Sequence, residues 1–199
     1  MVMTVGDKVI YPNQGPCVIG PVVKKSVDGT LVSFYQLAPL EGGGGGVFVP
    51  VDKAHALGIR GLLKRSEIPE LLSQFKQPSG SAGNWKQRAM DNAKLFASGS
   101  AFDLAEIVES LTELSETKTL SPGDRYALDR ARKLLVCEIS EVTGETKSAA
   151  GEQIDEALKM RKRKRSNGKA RSQARSPRQM NHDRARRIER RSEMARNTK

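Results

Sequence analysis

The chain's one tryptophan, Trp85, lies in the stretch NWKQRAMDNAKLF, with Lys86 and Arg88 beside it, Lys94 further along, and Arg125 at the start of a later segment. A large ring among cations suits a base step in nucleic acid. Phosphate contacts would hold the protein in place while the indole stacks on, or wedges between, unstacked bases. A structural reading stands beside this one. Asn84 is placed to cap a helix that starts at Trp85 or Lys86, and Trp85 precedes Ala89 by four residues, so the ring could extend a core face running through Ala89, Ala93 and Phe96. The basic residues could equally be an ordinary solvated surface. Spacing alone leaves both readings open.

Catalysis has less to work with. His55, in DKAHALG, has no partner at a useful spacing and reads as a structural or surface residue, and His182 lies in a basic tail. The glutamates of LAEIVESLTELSE repeat along a helix face, the usual pattern of a solvated surface. Asp103 and Asp124 each follow a serine by three residues, Ser100 and Ser121, and fit capping better than acid chemistry. The run EGGGGG, Glu41 to Gly46, could be mistaken for a phosphate cradle. A P-loop needs Lys and Ser/Thr opening a helix directly after the glycines, and here VFVP follows, so the run reads as a hairpin loop. Cys17 and Cys137 form no C-x-x-C pair and read as small buried hydrophobes. The sequence therefore reads as a non-enzyme with no metal and no cofactor.

The elements that must position Trp85 follow from periodicity. KVIY, CVIGPVVKK, LVSFYQL and VFVP are short and rich in β-branched and aromatic residues, separated by turn signals such as the DG of SVDGTL. Four or five such strands predict an SH3-like or Tudor-like small barrel. PVDKAHALGIRGLLKRSEIPELLSQF then changes period, with Leu57, Leu62, Leu63, Ile68, Leu71, Leu72 and Phe75 as apolar contacts of a connector packed on the barrel. From Trp85 the pattern is helical. Ser100 and Ser121 supply N-caps, Pro122 a first helical residue and Gly144 a stop. Phe102, Ala105, Val108 and Leu111 fall on one face, and Leu128, Ala131, Leu135, Ile139 and Val142 on another. A last helix through Ile154, Ala157 and Leu158 completes a bundle of about four helices. The predicted class is thus α+β, with a barrel and connector over 1–76, a linker over 77–84, a helical domain over 85–159 and a basic, disordered tail over 160–199.

Charge divides the chain at the same place. Residues 159–199 hold 17 Lys and Arg against 3 Asp and Glu, while residues 1–158 hold 17 against 20. Such a block can neutralise phosphates without a fold, and it implies a polyanionic partner. In HDRARRIERRSEMARN, Arg184, Arg187 and Arg191 would align on one side of a helix formed on that partner.

Taken in order, VGDKVIYPNQG, VPVDKAHALGIRGL, NWKQRAMDNAKLFASGSAFDLAEIVESL and LSPGDRYALDRARKLLVCEIS resemble the CarD/CdnL family of bacterial transcription regulators over about residues 2–159. The resemblance implies a Tudor-like domain that binds the β subunit of RNA polymerase, and a helical domain at the upstream edge of the promoter bubble. There the family's Trp enters the minor groove and slows collapse of the open complex. Carried over, Trp85 is the wedge, Lys86, Arg88 and Arg125 contact promoter DNA phosphates, and Lys25 contacts polymerase. The chain departs from the pattern at Phe48 and Met90, where basic residues are common, and in its tail, which would add sequence-blind phosphate affinity.

The leading expectation is a cytoplasmic, nucleoid-associated, monomeric promoter-complex stabiliser with no membrane segment. Its main alternative is a general DNA- or RNA-coating protein working through the tail. An accessory module of transcription-coupled repair ranks lower, since the chain has no Walker motif, and an enzyme ranks last.

Overall fold

A computed structural model describes residues 3–12, 14–41, 45–75 and 84–173, with side chains through Lys162. Residues 77–83 of the expected linker, most of the glycine run, His182 and the Arg184, Arg187 and Arg191 stripe lie outside the described residues. The chain divides into two units, Met1–Leu158 and Lys159–Lys199.

Strand β1 (Lys8–Tyr11) pairs with β2 (Gly15–Val27), β2 with β3 (Thr30–Pro39), and β3 with β4 (Val47–Pro50), while β5 (Arg60–Gly61) lies on the far side of β1. The β2–β3 hairpin turns at Asp28 and Gly29, both at positive φ, as the DG signal predicts. All ladders are antiparallel, in the order β4-β3-β2-β1-β5. Closure differs from the expected Tudor-like barrel: among the described residues no ladder joins β4 to β5, so the sheet is open. The two edge strands are too short to carry a ladder around. A register shift between Ile19 and Val22 instead bends the long β2, and one inner face still gathers Met3, Val9, Cys17, Ile19, Leu37, Val49, Ala54 and Ile59.

The helices are α1 (Ile68–Gln74), α2 (Trp85–Ser98), α3 (Ala101–Thr117), α4 (Pro122–Thr143) and α5 (Lys147–Gln173). Ser100 and Ser121 cap α3 and α4 by accepting from the backbone N–H of Asp103 and Asp124, and Gly144 ends α4 in the left-handed conformation. Asp is one methylene shorter than Glu, and in both cases its carboxylate bonds a serine hydroxyl, Ser98 for Asp103 and Ser121 for Asp124.

The connector differs from its expected role. Ile68 and Leu71 of α1 and Phe75 just after it are buried with Leu104, Ala105, Ile107, Val108 and Leu111 of α3, so α1 belongs to the helical core, and Leu57 is exposed. Ala131, Leu135 and Ile139 of α4 complete that core with Ala150, Ile154 and Ala157 of α5. Helix α5 runs to Gln173, past the Lys159 limit drawn from composition. Its Lys, Arg, Ala and Gln residues favour helix locally, although they have little to bury. No helix among the described residues is long and apolar enough to cross a membrane.

Candidate nucleic-acid interface

Helix α2 begins where the sequence places it. Asn84 accepts a hydrogen bond from the Gln87 N–H at 2.9 Å, which leaves Trp85 as the first helical residue. The helix is nevertheless rotated from the expected face. Arg88 and Asn92 are buried and Leu95 and Phe96 pack on the helical core, whereas Ala89 and Ala93 are exposed. Trp85 does share the stripe of Ala89 and Ala93, at four-residue steps, but that stripe faces solvent. Trp85 is 62% exposed.

A buried ion pair sets this rotation. Arg88, only 8% exposed, donates from Nη2 to Asp124 Oδ2 at 3.0 Å. The Ser121 hydroxyl donates to the same carboxylate oxygen at 2.8 Å, and Ser121 Oγ accepts from the Asp124 N–H at 3.1 Å. Burial pushes the Asp124 carboxyl up, but the bonds from Arg88 and Ser121 outweigh it and hold the group below the usual carboxylate range. A guanidinium held this way is turned into the protein, away from the solvent-facing position that the sequence reading gave it.

The other predicted cations are on the surface. Lys86 Nζ lies 5.6 Å from the centre of the Trp85 ring. Lys94 is exposed, 3.8 Å from Asp91 of the same helix. Arg125 is exposed in the first turn of α4, and the Arg88–Asp124 pair brings that turn against the first turn of α2. Two helix N-termini therefore meet beside Trp85, where aligned peptide dipoles favour negative charge, such as that of the Asp124 carboxylate already seated there. Tyr126, overlooked in the sequence, is 65% exposed in the same turn, and the Arg130 guanidinium sits 5.9 Å from its ring and 5.3 Å from that of Phe96. The four-residue step from Tyr126 to Arg130 in RYALDR was its signal. Met90 is exposed on α2 and brings no charge.

On the sheet, Lys25 of β2 places its Nζ 3.4 Å over the ring of Phe48 on edge strand β4. Phe48 is partly exposed, as are Val22 and Leu31 nearby in sequence on β2 and β3. The edge of the sheet thus holds a cation above an aromatic platform.

The sheet and the helices are joined by a fork that sequence reasoning missed. Arg60 of β5 binds Glu138 of α4 through both Nη atoms, at 2.6 and 2.8 Å, and Glu138 is almost wholly buried. The Leu63 N–H donates to the same carboxylate at 2.9 Å, and Arg60 Nε donates to the Gly99 carbonyl at 2.8 Å. Lys8 of β1 adds an exposed bridge to Glu141 at 2.8 Å. Pro12 lies so close to Gly99 that a Cβ there would come within 2.8 Å of it, and Gly99 also has positive φ. No motif marks such a pair in sequence, because its partners are 78 residues apart.

Two family models match this chain: the CarD-like/TRCF RID domain over residues 3–63 and the CarD C-terminal domain over residues 67–155. Their junction falls between β5 and α1, in agreement with the allocation of α1 to the helical core. Among curated relatives, the Bacillus subtilis (strain 168) protein named "Putative transcription factor YdeB" is 24% identical over 143 residues, covering 71% of this chain and 93% of that protein.

Proposed function

The chain belongs to the CarD family of transcription-associated proteins, and from that premise we propose that it stabilises the promoter open complex while held by the β subunit of RNA polymerase. In this reading Trp85 is the wedge at the upstream edge of the bubble. Lys86 and Arg125 hold the flanking phosphates, with Lys94 further along α2, and Arg88 acts by fixing the helices that present them. Lys25 on its Phe48 platform faces polymerase.

The observation that carries the reading is the exposure of Trp85. Leaving an indole in water forgoes the roughly 1.5–3 kcal/mol that burying a large apolar side chain provides. Its site is cationic and at a helix end, both of which suit entry into a distorted duplex. Unstacking a base step costs on the order of a few kcal/mol, and a large flat ring filling the gap offsets part of that cost. Phosphate contacts by two or three cations alone would give weak, sequence-blind affinity, so recruitment by polymerase supplies the address.

The test is the lifetime of the open complex at one promoter with the intact protein, Trp85→Ala and Trp85→Phe. The Ala variant should still be captured by polymerase yet lose the lifetime gain, and the Phe variant should keep part of it. An Ala variant with the full gain overturns the proposal.

A further inference from the structure

The family match ends at residue 155, but α5 continues to Gln173, and its last part differs in kind from everything before it. Residues 159–173 contain eight Lys and Arg, no Asp or Glu, and only Met160 and Ala170 as apolar side chains. We propose that this segment is a second nucleic-acid element, distinct from the Trp85 surface, which seats on the phosphate backbone of duplex DNA.

Composition decides the kind of partner. A protein surface is gripped by a few desolvated apolar or aromatic anchors, and this segment has almost none to offer. Phosphate binding needs only cations at matched density. Fifteen helical residues span about 22 Å, a length over which duplex DNA presents about 13 phosphate charges, one per ~1.7 Å. Arg161 is buried, which leaves seven cations on that length, enough to offset about half of those charges, and a helix is a body the major groove admits. The need for such an element is set by the rest of the chain. Residues 1–158 carry 17 basic against 20 acidic side chains, so at long range that part is weakly repelled by DNA whatever its local cations do. The basic segment reverses the sign of the approach.

The experiment uses the full-length chain with Arg163→Gln, Lys164→Gln, Arg165→Gln, Lys169→Gln and Arg171→Gln together, since Gln keeps helix propensity close to that of Lys and Arg. Affinity for a 30-base-pair duplex of arbitrary sequence is measured without polymerase across a range of salt, beside the parent and Trp85→Ala. The parent slope of log affinity against log salt should be steeper than that of the five-fold variant by about 3 to 5, at roughly 0.9 per phosphate contact. Trp85→Ala should keep the parent slope, which separates this element from the wedge. A five-fold variant with an unchanged slope overturns the proposal, and so does a change seen only with single-stranded RNA of equal length. Open-complex lifetime at saturating protein should be the same for the five-fold variant and the parent, so failure here and failure of the wedge are read from different measurements.

Discussion

Arg88 in the first turn of α2 and Asp124 in the first turn of α4 form a buried ion pair, 3.0 Å from Nη2 to Oδ2, that holds together the helix ends bearing Trp85 and Arg125. Removing one partner strands the other as an uncompensated buried charge, which costs about 3–5 kcal/mol. Arg88→Ala should therefore lower the urea midpoint strongly. Lys86→Ala, on the surface of the same turn, should stay within about 0.5 kcal/mol of the parent. If Arg88→Ala unfolds like the parent and instead loses about one unit of salt slope in DNA binding, Arg88 is a phosphate contact after all.

The same pair makes stability sensitive to acid. Asp124 titrates below the usual carboxylate range in the folded chain, because the Arg88 and Ser121 bonds overcome its burial. The folded state therefore binds this proton less readily than the unfolded state. Its contribution is present above the unfolded value of about 3.9 and fades as pH falls through the lower folded value. Asp124→Asn should be less stable than the parent at pH 7, and the gap should narrow below about pH 4. A gap that stays constant from pH 7 to 3 shows that the carboxylate adds nothing by its charge.

Local signals proved legible in the sequence and partnerships across the fold did not. Asn84, Ser100, Ser121 and Gly144 mark helix ends through bonds to residues within four positions, so the chemistry and the pattern lie in one window. The turn at Asp28 and Gly29 is local in the same sense. The rotation of α2 was not legible, because it depends on Arg88 meeting a residue 36 positions away. Period alone sent Ala89 and Ala93 inward and left Arg88 for the surface. The pattern of α1 showed that Ile68, Leu71 and Phe75 are buried, yet gave no sign of which core receives them.

Lys25 and Phe48 should act as one unit on the polymerase side. The ring under the Lys25 amine is worth about 0.5–1 kcal/mol at an exposed site, enough to favour one orientation of a long side chain. Lys25→Ala and Phe48→Ala should each weaken binding to the isolated β subunit by a few-fold. The double variant should be little worse than either single one, because each removes the same arrangement. Independent, multiplying losses would mean that the two side chains contact polymerase separately.

The Arg60–Glu138 fork should matter in proportion to how far the wedge depends on the anchor. In the proposed function polymerase holds the sheet while Trp85 acts from the helices, and a force on the duplex would then be transmitted only if the two cannot swing apart. A planar guanidinium makes two parallel bonds to the buried carboxylate and reaches the Gly99 carbonyl with its third nitrogen. Lysine is a point charge on a flexible stem and cannot reproduce that fork. Arg60→Lys should thus preserve the charge and polymerase capture, with an intact Trp85, yet shorten the open-complex lifetime toward that of Trp85→Ala. The comparison must be made at saturating protein and below the unfolding range of the variant, which thermal denaturation establishes. If Arg60→Lys keeps the full lifetime gain, a loose joint is sufficient, and the wedge works by occupying the step rather than by being braced against polymerase.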